Sequence, residues 1–340
     1  MTGGHPERVA AAKVAGAAAS SLVAPLLAAL SAMLFGSRTI AIGTGLAAAV
    51  HPSFILVSAD IQSETIFLPL LLGAGCLLLA ATDRPSTSLA LGAGALLAAA
   101  ALVRPTALAL APFALAPLCD RRYPLRARAH LSGAAVLGLA AALAPWTVRN
   151  ALMFHELIPV SDSWGSTFFE GNTEWTQRLY EARSRGEFEK LVLDAHRDKQ
   201  ARLEALGPAA SQSPGRRSSA LARLALEERL GDPAGTARLY ARKIWQWIRP
   251  YPTPLYWPAA VLAGVGLLYT ALYAAAAVGL ARARRRGAAL FSLAVLAVTM
   301  VSHVLVLVLW RYRVPSWDPI LLLYGVFGAG SKLPAWKQFS

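Results

Sequence analysis

Long runs of Ala, Leu, Val and Gly alternate along this chain with short clusters rich in Arg and Pro. Residues 9–35 are interrupted only by Lys13 and are long enough to cross about 30 Å of hydrocarbon as a helix. Further apolar runs occupy residues 39–57, with Pro52 near the outer end, then 66–81, 89–103 and 131–146. Between the last two lies a short run, 107–118, that needs a broken or tilted passage. After a long polar stretch come 259–280, 288–309 and 319–328. The pattern predicts an all-α polytopic transmembrane helix bundle of about nine spans. Spans one to six fall in residues 1–148, a mostly helical outer segment in 149–258, and spans seven to nine with a short cytoplasmic tail in 259–340.

Residues 145–172, PWTVRNALMFHELIPVSDSWGSTFFEGN, mark the passage from membrane to water. Pro145 weakens the helical ladder, Trp146 suits the headgroup layer, and Arg149 at a span's end can reach out of the hydrocarbon. Beyond it, 175–206 has a charged amphipathic pattern and 218–230 repeats it less cleanly. Asp232 followed by Pro233 reads as a cap and a first-turn proline, so a helix is expected over Pro233–Ile248 with Tyr240, Trp245 and Trp247 on the bilayer surface. The stretch GPAASQSPGRRSS between these helices has the composition of a mobile linker.

Composition agrees with this class. Charged residues make up 15% of the 340 and mean hydropathy is +0.46, well on the membrane side of ordinary globular usage. The net charge of +14 could suggest nucleic acid, but position argues against it. Arg121, Arg122, Arg126 and Arg128 form one dense loop cluster and Arg282, Arg284, Arg285 and Arg286 another, as expected of cytoplasmic loops. Arg38, Arg84, Lys332 and Lys337 fall on the same face, giving twelve basic residues against Asp83 and Asp120. The outer segment carries sixteen basic and thirteen acidic residues between Arg149 and Arg249, which nearly cancel. The alternation puts Met1 outside, and without a signal sequence this implies that an earlier span is absent from the chain. Cys76 and Cys119 lie in or at the end of apolar segments and read as small packing residues. His51, His155 and His303 are scattered and lack metal-ligand spacing, so they read as structural or rim residues, and no cofactor or metal ligand is assigned from the sequence.

Several ionisable or polar residues recur near the outer ends of spans: Asp60 and Glu64, Arg104, Arg149 with Asn150, and Arg311 with Arg313. Charge at that depth is costly unless paired or wetted, so its recurrence implies a cavity. Arginines presenting forked donors suit an anionic ligand, and in a membrane the obvious one is a lipid phosphate.

The segments SADIQSETIF at 58–67, ALVRPTALAL at 101–110, PWTVRN with the later EGN, and WRYRVP at 310–315 resemble, in order and spacing, motifs of GT-C type membrane glycosyltransferases. The likeness is to the branch that includes protein O-mannosyltransferases and lipid A aminoarabinose transferases, and it covers nearly the whole chain from about residue 6. It implies transfer of a sugar, with inversion, from a polyprenyl-phosphate-linked donor to a glycan, lipid or protein acceptor on the outer face of an inner or plasma membrane. Carried over residue by residue, Glu64 matches the glutamate of the family's Ser-Glu motif and Arg104 its Arg-Pro arginine. Arg149 and Asn150 match the outer rim. Glu170, Gly171 and Asn172 match the sugar-lining loop, and Arg311 and Arg313 the cations that hold the carrier phosphate. The family's acidic catalytic residue sits in an outer loop after a first span; here MTGGHPER resembles only the tail of that loop. The nearest substitute for the base is Asp60, and the departure implies a shortened gene model or a fragment that binds donor without turnover. The competing class is a non-catalytic carrier that holds an anionic lipid without making or breaking a bond.

Overall fold

A computed structural model describes residues 6–207, 213–283 and 286–330. They divide into two compact units, one of Met1–Ala144, Thr270–Thr299 and Arg313–Ser340, the other of Pro145–Tyr269 and Met300–Tyr312. Among the described residues all regular structure is helical. Five helices are long and apolar enough to cross a membrane: Glu7–Phe35, Glu64–Asp83, Leu125–Phe154, Ala259–Arg282 and Gly287–Leu305. A bent pair brings the number to six at most, so the expected nine spans are not supported.

The first unit opens with α1 (Pro6–Ser20) and α2 (Val23–Phe35), which together make the first long apolar helix. Gly36 ends it in the left-handed conformation at φ 64°, which a residue without Cβ adopts freely. Ser37 then caps α3 (Arg38–Ala49) through its side chain. The expected second span breaks at His51, whose extended backbone is imposed by the proline that follows. The short α4 (Pro52–Ser58) therefore leaves α3 at 50°. Next come α5 (Glu64–Asp83) and α6 (Thr87–Val103), the latter seventeen residues long and below the length of a full span.

The short fifth run takes a different helix type. Pro105–Cys119 is a fifteen-residue 3-10 helix. Pro112 and Pro117 remove donors and would clash with an α-helical carbonyl four residues back. At about 2.0 Å per residue, fifteen residues of 3-10 helix extend about 30 Å, against about 22 Å for an α-helix. It remains one of the shorter apolar helices, outside the five long enough to cross.

The next helix, α7 (Leu125–Phe154), continues past Pro145 and Trp146 for eight residues, so the proline does not end the helix. The described part of the first unit also holds residues of α13 (Ala259–Arg282), α14 (Arg286–Leu305) and α15 (Trp317–Gly330). The last of these has fourteen residues, about 21 Å, and is buried on almost every side, as a helix apolar all round should be in a core. The crossing of α6 and α7 depends on two glycines. A Cβ on Gly94 of α6 would lie 1.9 Å from the Ala135 carbonyl oxygen of α7, and one on Gly138 would lie 2.1 Å from that of Leu91. Small residues let the two backbones meet, as expected from the Ala/Gly-rich spans.

In the second unit α8 (Trp164–Gly171), α9 (Glu174–Glu181), α10 (Arg185–Ala205), α11 (Pro214–Gly231) and α12 (Pro233–Ile248) follow in order. Phe169, Leu203, Leu221 and Ala225 form the core that α8, α10 and α11 share. The single helix expected over 175–206 is thus two, parted at Ala182 and restarted by the Ser184 cap. Of the expected linker, 208–212 lie outside the described residues, and Pro214 already begins α11. Arg284, Arg285, Lys332, Lys337 and the first five residues of MTGGHPER also lie outside them. Asp232 does cap α12, its carboxylate accepting from the Gly235 amide at 2.8 Å. Trp245 is exposed as expected, but Trp247 is fully buried and Tyr240 half-buried, so neither belongs to a bilayer-facing stripe with it.

Candidate functional site

In the first unit the Ser-Glu and Arg-Pro segments are brought together. Pro105 forces Arg104 into extended backbone and so ends α6 there, while Glu64 opens α5. A carboxylate in a first helical turn and a cation at a helix C-terminus each oppose the local dipole charge. Because α5 and α6 form an antiparallel hairpin, the two side chains meet. The Arg104 Nη1 donates to Glu64 Oε1, with the side chains 13% and 1% exposed. Ser63 completes the group, donating to Glu64 Oε2 at 3.2 Å and accepting from Arg104 at 3.3 Å. The ring of Phe67 lies 5.9 Å from the guanidinium carbon. Asp60, four residues earlier, is exposed and accepts from the Ile61 amide at 2.8 Å and the Gln62 side chain at 3.0 Å.

Arg313 belongs to the same unit and is 1% exposed. Its Nη2 stands 3.8 Å from Asp318 Oδ1, an ion pair too long to be a hydrogen bond. Asp318 occupies the first turn of α15, again where a carboxylate suits the helix dipole. Tyr273 packs against the guanidinium, and His51 is likewise buried in this unit. His51 and Asp318 were not singled out as site residues from sequence. A carboxylate opening the final apolar run was the signal that could have found Asp318.

The remaining expected residues lie in the second unit. Arg149 is exposed, donates to Asn150 Oδ1 at 3.0 Å and stacks over Trp146 at 4.9 Å. Asn150 is buried and donates to the Ile158 carbonyl at 3.0 Å, while Trp146 and Thr147 donate to Val160 and Pro159 at 2.8 and 3.0 Å. The PWTVRN segment therefore clamps the chain as it returns from α7. Glu170 accepts from Lys199 at 2.6 Å and from Ser166 at 3.3 Å. Arg311 is exposed and lies 5.6 Å from the Tyr312 ring.

Asn172 serves a helix end more than a hundred residues away in sequence. Its Nδ2 donates to the carbonyls of Phe168, Leu305 and Val306 at 2.9, 2.9 and 3.1 Å. Two of these acceptors lie at the C-terminal end of α14, where helix carbonyls lack intrahelical donors. The Asn172 Oδ1 accepts from Tyr240 and Lys243, both at 2.9 Å, so every polar position of the side chain is occupied. Gly171 makes the approach possible, since a Cβ there would stand 1.7 Å from the Val306 oxygen.

Lys243 is the group sequence reasoning missed here. It is fully buried and donates to Val306 as well, at 3.1 Å. Its spacing from Leu239 and Trp247 on one helical face was a signal for burial. Desolvation, helped by the nearby Arg229, holds its ammonium well below the usual lysine range, at about 7. The folded protein then binds fewer protons than the unfolded chain between about pH 7 and pH 10.4, so stability rises with pH through that window. We expect Lys243→Met to flatten this rise, by up to about 4–5 kcal/mol for one proton over the whole window, in thermal unfolding measured across it. Equal slopes in the two proteins would show that Lys243 does not titrate there.

Comparison of the chain with protein-family models, curated proteins and solved structures gives no match.

Proposed function

We propose that the chain is an integral membrane glycosyltransferase of GT-C type, moving a sugar from a polyprenyl-phosphate-linked donor to a glycan, lipid or protein acceptor on the outer face. The observation that carries this is the Glu64–Arg104 pair, in which two of the family-like segments, forty residues apart, meet in a buried polar group. A guanidinium already oriented by a carboxylate loses little freedom when it meets a phosphate. Cations near the donor phosphate would stabilise the charge that grows on it as the glycosidic bond breaks. Arg104 and Arg313, both of the first unit, are the buried cations assigned to that task, and Arg149 and Arg311 of the second unit are exposed cations whose charge favours binding of an anionic headgroup. Glu170 is assigned to the sugar. Asn150 and Asn172 act through the backbone they hold.

Transfer also needs a base within reach of the acceptor hydroxyl. Asp60, exposed and four residues from the buried pair, is the carboxylate of this chain assigned to it.

The test uses the protein in proteoliposomes with a labelled polyprenyl-phosphate sugar and a membrane extract as acceptor. Binding of the donor and release of polyprenyl phosphate are expected, with affinity reduced about tenfold by Arg311→Ala, the loss of one charged contact. Donor binding with no release under any acceptor would move the protein to the carrier class. Absence of binding would dismiss both.

A further inference from the structure

Helix α12 is amphipathic the wrong way round for a water-soluble surface. The side packed into its own unit carries Leu239, Lys243 and Trp247, with the lysine fully buried. The outward side carries Ala237, Ala241, Ile244, Trp245 and Ile248, all exposed, the last three at 41%, 50% and 38%. Their spacing is that of one helical stripe. A stripe of Ile and Trp facing out while an amine faces in is costly in water and favourable against lipid.

What covers the stripe can be argued from its continuation. Ten residues, 249–258, separate α12 from α13, which limits the tether to about 35 Å even when fully extended. That tether carries Tyr256 and Trp257, exposed at 45% and 37%. The apolar window of α13 that follows is only 11% buried, so its surface belongs in the hydrocarbon. Aromatics at the mouth of such a helix occupy the headgroup boundary. Arg238, exposed one turn before Ala241, can lay its stem on the apolar surface and keep its charge among headgroups.

We propose that the Ala237, Ala241, Ile244, Trp245 and Ile248 face of α12 is a lipid-binding surface, seated in the boundary between headgroups and acyl chains. It differs from a simple aromatic anchor because Trp247 and Lys243 lock the opposite face to the segment 300–312. Trp247 lies 4.9 Å from the His303 ring, and Lys243 donates to Val306. Lipid contact with α12 is thereby fastened to the end of α14. The surface stands whether or not the protein transfers a sugar.

Single cysteines at 241, 244, 245 and 248, in a Cys76→Ala/Cys119→Ala background, can be spin-labelled and the protein reconstituted in liposomes. Collision with oxygen, which partitions into lipid, is expected to exceed collision with a water-soluble nickel chelate at all four positions. Position 197, an exposed arginine of α10, should show the opposite order. Nickel accessibility at 244, 245 and 248 equal to that at 197 would overturn the proposal, and so would dipolar broadening between labels, which would make the occupant a second copy. Should the cysteine-free background fail to fold, quenching by brominated lipids in the otherwise native chain, compared with Trp245→Phe, gives the same decision. A quenching loss unchanged by Trp245→Phe would count against lipid contact.

Discussion

Arg104→Met is expected to destabilise the protein by about 3–5 kcal/mol, because it strands the Glu64 carboxylate in a site where water does not reach. Glu64 is 2% exposed, and Ser63 would be its one remaining side-chain partner of the three-residue group. The double variant Glu64→Leu/Arg104→Met should recover most of the loss, since a buried ion pair replaced by apolar side chains of similar volume is often near neutral. Unfolding of the purified protein in graded denaturant, run on both singles and the double, measures the coupling. Losses that simply add would mean that the pair does not hold the hairpin end together. The same series bears on function, because a structurally tolerated double should still bind no donor if Arg104 touches the phosphate.

The second large effect belongs to the α6–α7 crossing. Gly138→Leu is expected to cost about 3 kcal/mol or more, since a side chain there meets the Leu91 backbone and not a movable side chain. Gly94→Leu should behave alike against Ala135. Gly133, also in α7, has nothing within 4 Å of where a Cβ would stand, so Gly133→Ala should change stability by no more than about 0.5 kcal/mol or raise it slightly. Melting temperatures in one detergent separate the two classes. A loss at Gly133 comparable to that at Gly138 would show that close approach of the backbones does not set the cost, since alanine has the higher helix propensity and open space there.

What the sequence made legible was what depends on composition over many residues. The apolar runs at 9–35, 66–81 and 259–280 became long helices because length and apolarity alone decide whether a segment can cross. What it hid depends on local backbone chemistry or on distant partners. Pro145 looked like a stop, yet a proline within a helix whose other backbone groups are satisfied can be carried through, and α7 carries it. The prolines of 105–119 did the reverse, turning an apolar run that reads as α-helical into a 3-10 helix. The candidate site divides in the same manner. Glu64 and Arg104 were legible as ionisable groups at span ends, and the structure joins them. Asn172 was legible as part of EGN, but its task of closing the end of α14 rests on residues 305 and 306, which no local pattern links to it. Lys243 was passed over because a lysine beside two tryptophans reads as an interfacial residue until Trp247 is seen buried beside it.

The assignment of a polyprenyl-phosphate donor requires Arg104, Arg149 and Arg311 to serve one side of the bilayer. With five long helices, a bent pair and a 3-10 segment in place of nine regular spans, that sidedness is the most direct thing to measure. Single cysteines at 104, 149 and 311, and at 121 and 282 for the basic loops, can be treated with a membrane-impermeant thiol reagent on intact cells and again after permeabilisation. Labelling of the first three in intact cells, and of the last two only after permeabilisation, is the result predicted here. If 104 reacts only after permeabilisation while 149 and 311 react in intact cells, the arginines face opposite compartments and the outer-face assignment is contradicted.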